Sequence, residues 1–292
     1  MNSINRRTFL RDGALGLAAA ALATRWPQPA FADPFGLPIG LQLYTVRQQA
    51  AKDFDGTLRA VSAIGYKEVE LPGFFNKTAP EISQSLSAAG LTCPSAHYMT
   101  PALREDLDAH IAFAKEIGLS YMVCAFLMPA ERKSLDDYRH LADFFNKVGE
   151  QCQKAGIQFA YHAHNFEYTV FDGVVAFDDL LEHTDPNLFK IELDCYWMTR
   201  AGKDPVEYLK KYPGRFPLLH IKDMKPGHPP TTDVMKGGDA FTEVGRGSIA
   251  WKPIFEAAEG SLKHYFVEQD KCDRPPLESA KISYEYLHHL TV

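Results

Sequence analysis

One unit recurs along the chain: a helix-spaced segment, then a glycine, then a short run of strand-forming residues. It reads AIGYKEVEL over 63–71, AAGLTCPSAH over 88–97, EIGLSYMVCAF over 116–126 and KAGIQFAYHAH over 154–164. Glycine ends a helix in the left-handed conformation without a Cβ penalty, so each unit reads as helix, stop, strand. The segments ahead of these glycines carry helical spacing, as in Phe54, Leu58, Val61 and Ile64, or Leu135, Tyr138, Leu141, Phe145, Val148 and Cys152. Thr78-Ala79-Pro80-Glu81 forms a capping box with proline near the helix start. PIGLQLY (38–44) precedes the first unit, and LFKIELD (188–194), FPLLHIKD (216–223) and HYFVEQD (264–270) continue the series as buried strands. Eight apolar runs alternating with helical patterns over this length predict an α/β chain folded as a single (β/α)8 barrel. An open doubly wound sheet is the competing arrangement. It is disfavoured because no G-x-G-x-x-G follows the first strand and no change of composition divides the chain.

The first 32 residues stand apart. Arg6-Arg7 followed by Thr8-Phe9-Leu10, an apolar run from Ala14 to Ala23, and Ala30-Phe31-Ala32 fit a removable twin-arginine export signal. The run is too short to span a bilayer. The expected organisation is therefore a signal over 1–32 and a barrel over 33–292, exported, periplasmic in a two-membrane cell, with the twin-arginine machinery as a partner. Arg6, Arg7, Arg11 and Arg25 against Asp12 give the signal a charge of +3, so a chain of −6 leaves −9 on the remainder. An acidic body of this kind has no general attraction for nucleic acid. No later stretch is long and apolar enough to cross a membrane. Five cysteines without C-x-x-C spacing indicate neither a disulfide framework nor a zinc ribbon. Oligomerisation is left open.

Barrel enzymes build their sites where the strands end, so the polar residues at those ends are the candidates. The first run ends in Gln42 and Tyr44, the second in Glu68 and Glu70, the third in His97. The fifth ends in His162 and His164, the sixth in Glu192 and Asp194, the seventh in His220, Lys222 and Asp223, the eighth in Glu268 and Asp270. Imidazoles and carboxylates drawn from consecutive strands suit one divalent ion, Mn²⁺, Mg²⁺, Co²⁺ or Zn²⁺. The expected ligand set is His162, Asp194, His220 and Glu268. Each alone is as readily a helix cap, a hydrogen-bonded histidine or a surface carboxylate; four on successive strands favour the ion. Residues i and i+2 of a strand share a face, so His164 either replaces His162 as ligand or meets the substrate. Tyr44, Glu70, His97, Glu167, Trp197 and Arg246 are the expected substrate-binding residues, Trp197 by stacking on a sugar face. Glu167 reaches the substrate or is solvated, and Trp197 stacks or packs in the core.

YHAHNFEY (161–168), DCYWMTRAGKDP (194–205), HIKD (220–223), VGRGSI (244–249) and VEQD (267–270) together resemble the sugar phosphate isomerase/epimerase superfamily, the xylose isomerase-like TIM barrels that also include endonuclease IV. The likeness runs over roughly 37–290. It implies metal ligands at Asp194, His220 and Glu268. The fourth ligand position, usually glutamate in ketose epimerases, falls on His162, so only Glu268 of their two metal-bound glutamates remains. Asp194-Cys-Tyr-Trp197 and Asp239-Ala-Phe241 place aromatics where the endonuclease branch has ligand histidines, which argues against a nuclease. The expected activity is a metal-dependent carbohydrate isomerase or epimerase that removes a proton beside a carbonyl through an enediolate. Glu268, or a free group such as His164, takes the proton. Lys222 faces the developing oxyanion, if it is not simply paired with Asp223. Two alternatives accompany this: a 3-keto-glycoside lyase or hydrolase on the same scaffold, and an exported sugar-binding barrel without catalysis.

Overall fold

Eight parallel strands pair in sequence order and close, the first lying between the second and the eighth. They are β1 (Ile39–Gln42), β2 (Glu68–Leu71), β3 (Thr92–Tyr98), β4 (Tyr121–Cys124), β5 (Gln158–His162), β6 (Phe189–Asp194), β7 (Leu218–Ile221) and β8 (His264–Val267). One long helix follows each: α1 (Phe54–Ile64), α2 (Ala79–Ala89), α3 (Leu107–Ile117), α4 (Leu135–Lys154), α5 (Ala176–Glu182), α6 (Pro205–Lys211), α7 (Trp251–Ala258) and α8 (Pro276–His288). This is the (β/α)8 TIM barrel expected from the repeat. The structure, a computed structural model, describes residues 33–292, and the expected export signal over 1–32 lies outside the described residues. Among the described residues no helix is long and apolar enough to cross a membrane.

The repeat glycines do the work their spacing predicts. Gly90 and Gly118 close α2 and α3 with φ of 66° and 89°. The next residues, Leu91 and Leu119, donate back to Leu86 and Ala114 and are themselves buried. A helix thus ends, turns and delivers an apolar residue to the next strand within three positions. At the start of α2 the Glu81 carboxylate accepts from both the backbone N–H and the hydroxyl of Thr78, each at 2.8 Å. Tyr138, Leu141, Phe145, Val148 and Cys152 of α4 are buried, while Leu135 at its first turn is only partly so.

Register sets the layers of the barrel. His162 is level with Glu192, Asp194 with His220, and Val267 with Ile221, so Glu268 emerges beside Lys222. Glu68 is corrected by the same register. It opens β2 instead of ending it, and its carboxylate pairs with His264 at 2.8 Å, at the end of the barrel away from the other candidates.

Gly149 lies where α4 crosses the start of β6. A Cβ there would sit 2.5 Å from the Leu188 carbonyl oxygen. Alanine gains at most about 1 kcal/mol of helix propensity, against about 1–3 kcal/mol for overpacking against backbone that has no rotamer to change. Gly149→Ala should therefore lower the midpoint of denaturant unfolding at unchanged slope; a raised midpoint would show that the helix yields instead.

Candidate metal centre and active-site cleft

His162 Nε2, Asp194 Oδ2, His220 Nδ1 and one Glu268 carboxylate oxygen converge where β5 to β8 end, and the four residues offer ligand atoms all within 4.8 Å of one another. The strands explain why. His162 and Asp194 are the last residues of β5 and β6, His220 is the penultimate main-layer residue of β7, and Glu268 follows β8 directly. Each histidine uses its other nitrogen as an anchor. His162 Nδ1 lies 3.0 Å from Glu192 Oε2, and His220 Nε2 lies 2.6 Å from Glu70 Oε2 and 3.1 Å from Glu192 Oε2. His97 Nε2 reaches the same two carboxylates, at 2.8 Å to Glu192 and 3.2 Å to Glu70. Carboxylates behind imidazoles in this way fix ring orientation and raise donor strength.

His97, His162, Glu192 and His220 form a second group of suitable residues. Its nitrogens are already spent on Glu192 and Glu70, whereas Asp194 Oδ2, His220 Nδ1 and Glu268 Oε2 face one another, His220 Nδ1 lying 2.8 Å from Glu268 Oε2 and 3.9 Å from Asp194 Oδ2. Those three atoms belong to the first group. With bonds of about 2.0–2.2 Å, one ion touches donors up to about 4.4 Å apart, so small adjustments close the set. The site is therefore a cluster positioned to chelate a single divalent ion, with donors of the kind that takes Mn²⁺, Co²⁺ or Zn²⁺.

Lys222, 2% exposed, ties the cluster together. Its ammonium lies 3.0 Å from Asp194, 2.7 Å from Glu268 and 2.9 Å from Asp270. Asp223, its alternative partner, instead accepts from the backbone N–H groups of Gly245, Gly247 and Ile249 and from the Trp251 indole. The surrounding charge divides the ionisable groups. Burial opposes the charged form of Glu268, but Lys222 and His220 outweigh it and bring the carboxyl down to about 2. Burial likewise disfavours charge on His97, yet Glu70 and Glu192 push it up to about 10, and His220 is raised well above its usual range by Glu192, Glu268 and Glu70. His162 and His164 move the other way. Burial and neighbouring cations hold both well below the ordinary imidazole value. Asp194 is pushed up to about 6, chiefly by burial.

Above the cluster opens a cleft of about 500 Å³. Tyr44, His97, His162, His164, Trp197, Lys222 and Glu268 all line it. The strand stops at His162, so His164 stands one step into the following loop, outside the ligand group, with Nδ1 unpartnered. Three expected substrate contacts are corrected. Glu70 is fully buried beneath the imidazoles, bonded to Gln42, Ser95 and His220. Glu167 is fully buried too; Tyr161 donates to one oxygen and the His164 backbone N–H to the other at 2.9 Å, and burial lifts it to about 7. Arg246 is exposed in the VGRGS turn and does not line the cleft. Trp197 does line it, while packing with Tyr196 and Phe241.

Reasoning from sequence missed Glu192 as the shared anchor, although it shares strand parity with Asp194. It also missed Asp270 as a partner of Lys222, and Arg200. Asp194 Oδ1 caps the short helix Cys195–Arg200 by accepting from Trp197 N–H at 2.8 Å. At the far end of that helix buried Arg200 donates to the carbonyls of Pro229, Lys236 and Gly237 and pairs with Asp239 at 3.1 Å. The loop that forms one wall of the cleft, including Val234, Met235 and Gly238, is thus hung from the same helix that Asp194 begins. A run of buried donors on backbone carbonyls was legible only as the letters TRAGKDP.

Fold and cluster together define a metal-binding barrel of the catalytic kind. The chain belongs to the xylose isomerase-like TIM barrel family, whose model matches residues 58–287, and so to the sugar phosphate isomerase/epimerase superfamily. It is similar to an inosose dehydratase of Clostridium botulinum (strain Alaska E43 / Type E3), 32% identical over 265 residues, which cover 80% of this chain and 88% of that protein. An inosose dehydratase of Geobacillus kaustophilus (strain HTA426) is 26% identical over 277 residues, 81% and 88% of the two chains. Among solved structures, a sugar phosphate isomerase/epimerase from Parabacteroides distasonis superposes with a TM-score of 0.74 at 27% identity, covering 86% of this chain and 94% of that one.

Two measurements test the centre. Glu192→Gln keeps volume but leaves the anchor uncharged, and should weaken divalent-ion affinity about 10–100-fold in a chelator competition titration; unchanged affinity would mean that the rings are held by packing alone. Because His220 is raised, an ion must displace its proton, so apparent affinity should climb with pH until that proton is gone. Affinity flat from pH 6 to 8 would exclude His220 as a ligand.

Proposed function

We propose that the chain is a divalent-metal-dependent lyase acting on a polyhydroxylated ring ketone. It takes a proton from the carbon beside the carbonyl and releases the oxygen substituent of the next carbon. One observation carries the reading: the four-residue cluster shares its cleft with the His164 imidazole, which lines the same wall and is kept neutral by burial and by Lys222. Neutral imidazole is the form that can accept a proton, and its lowered basicity makes the protonated form a ready acid toward a departing oxygen. The relatives named inosose dehydratases support elimination over proton return.

An ion in the cluster would supply Lewis-acid polarisation of the ketone oxygen. His164 accepts the proton at its cleft-facing edge, with its backbone fixed by the Glu167 carboxylate. Lys222, held by three carboxylates, presents a fixed positive charge to the oxygen that becomes negative. Glu268, the first base expected from sequence, is already engaged by Lys222 at 2.7 Å and His220 at 2.8 Å and serves better as a ligand. The imidazolium at His164 then gives its proton to the departing oxygen. Isomerisation or epimerisation would return that proton to carbon, and a two-carboxylate epimerase lacks its second carboxylate where His162 stands. We also propose, from Arg6-Arg7 and the Ala30-Phe31-Ala32 site, that the protein acts outside the cytoplasm.

Metal-loaded protein incubated with inosose and with 3-keto-glucosides should yield a product lighter by one water, or freed of its aglycone, with new conjugated-carbonyl absorption. Deuterium uptake from D₂O with every substituent retained would sink the lyase reading in favour of an isomerase. His164→Gln should lower kcat by about 10²–10⁴, and a kcat within twofold of wild type would remove it from the base role. For the location, replacing Arg6 and Arg7 by lysine should retain the protein in the cytoplasmic fraction; equal export of both forms would count against the signal.

A further inference from the structure

The cleft has two chemically different halves. Around the cluster its lining is polar: His162, Lys222, Glu268 and Asp270. Further out it is apolar, and the rings there are continuous. Phe126 meets His164 edge-on at 5.0 Å, His164 meets Trp197 at 5.3 Å, and Trp197 meets Phe241 edge-on at 5.7 Å. Met99 and Met235 flank this strip, 41% and 88% exposed. Exposing large apolar side chains next to a binding cleft is unfavourable unless a ligand covers them. A fully hydroxylated ring uses the polar half and leaves Met99 and Met235 uncovered above the packed rings.

We propose that the outer half of the cleft is a subsite for an apolar, aromatic substituent carried by the substrate, so that the ligand is a polyhydroxy ketone ring bearing an aryl group and not a bare sugar or cyclitol. The proposal rests on the lyase reading only in placing the ketone ring at the cluster. The aryl group lies along the strip Phe126–Trp197–Phe241, and Met235 closes over it. Methionine suits that position because its unbranched, polarisable thioether packs against rings of varied outline.

The test uses the full-length, manganese-loaded chain and three probes: phenyl 3-keto-β-glucoside, methyl 3-keto-β-glucoside and inosose. Affinities are read by calorimetry at a temperature and time at which turnover is negligible, or on the His164→Gln protein. The phenyl probe should bind about ten- to a hundredfold more tightly than the methyl probe, as burial of one aromatic ring requires. Met235→Asp and Phe126→Ala should each cut that ratio severalfold. Met235→Asp should leave the unfolding midpoint unchanged, because the side chain is almost wholly exposed. Equal affinities for phenyl and methyl probes in the wild-type protein would overturn the subsite. So would a phenyl preference that survives both substitutions, or a Met235→Asp change that alters the oligomeric state and not the ratio, which would make the rim a contact between copies. A phenyl preference without any elimination product supports the subsite while refuting the lyase reading, so the two fail separately.

Discussion

A carboxylate taken wholly out of water must be repaid in hydrogen bonds, and Glu192 collects them from three imidazoles. It sits on β6, level with His162 on β5 and one strand from His220 on β7, so the barrel's register delivers the donors to it. Glu70, from β2 across the barrel, takes the remaining reach of His97 and His220. Two buried carboxylates therefore orient every histidine at the floor of the cleft. The nitrogens left over on His162 and His220 are the ones that point at a common centre.

The same concentration of charge sorts the side chains by task. Asp194, Asp270 and Glu268 around Lys222, and Glu192, Glu268 and Glu70 around His220, favour the cationic form of each against the cost of burial. His162 and His164, crowded by those cations, stay neutral. Neutral imidazole is the form that ligates metals and accepts protons, and fixed cations stabilise developing negative charge. Neighbouring histidines driven apart in this way take different parts in one chemistry.

Much of this was legible in the letters. Helix, glycine and apolar run recur as a βα series does; seven strands lie inside the runs that it marks, and β3 overruns its own by one residue, Tyr98. The four clustered residues follow from reading which polar side chain ends each run. Depth was not legible. Strand parity tells which face a side chain takes but not which layer it occupies, so Glu68, Glu70 and Glu192 looked alike although one lies at the far end of the barrel and two lie under the site. Loop geometry was also hidden: Glu167 folds back onto Tyr161 and His164, and the VGRGS turn is drawn to Asp223, which leaves Arg246 facing solvent. Arg200 escaped because its partners are carbonyls, which every sequence possesses.

That last feature reaches beyond this molecule. Arg200 and Tyr196 grip the loop over 229–237 by its peptide oxygens, and Asn165 does the same at Thr231. Such a grip holds peptide groups and constrains few side chains, Gly237 apart, where a Cβ would strike Trp197 at 2.6 Å. The side chains of Val234 and Met235 take no part in it, so the rim can be rebuilt while the barrel and its charged floor go undisturbed. The architecture separates an exchangeable mouthpiece from the reactor beneath it.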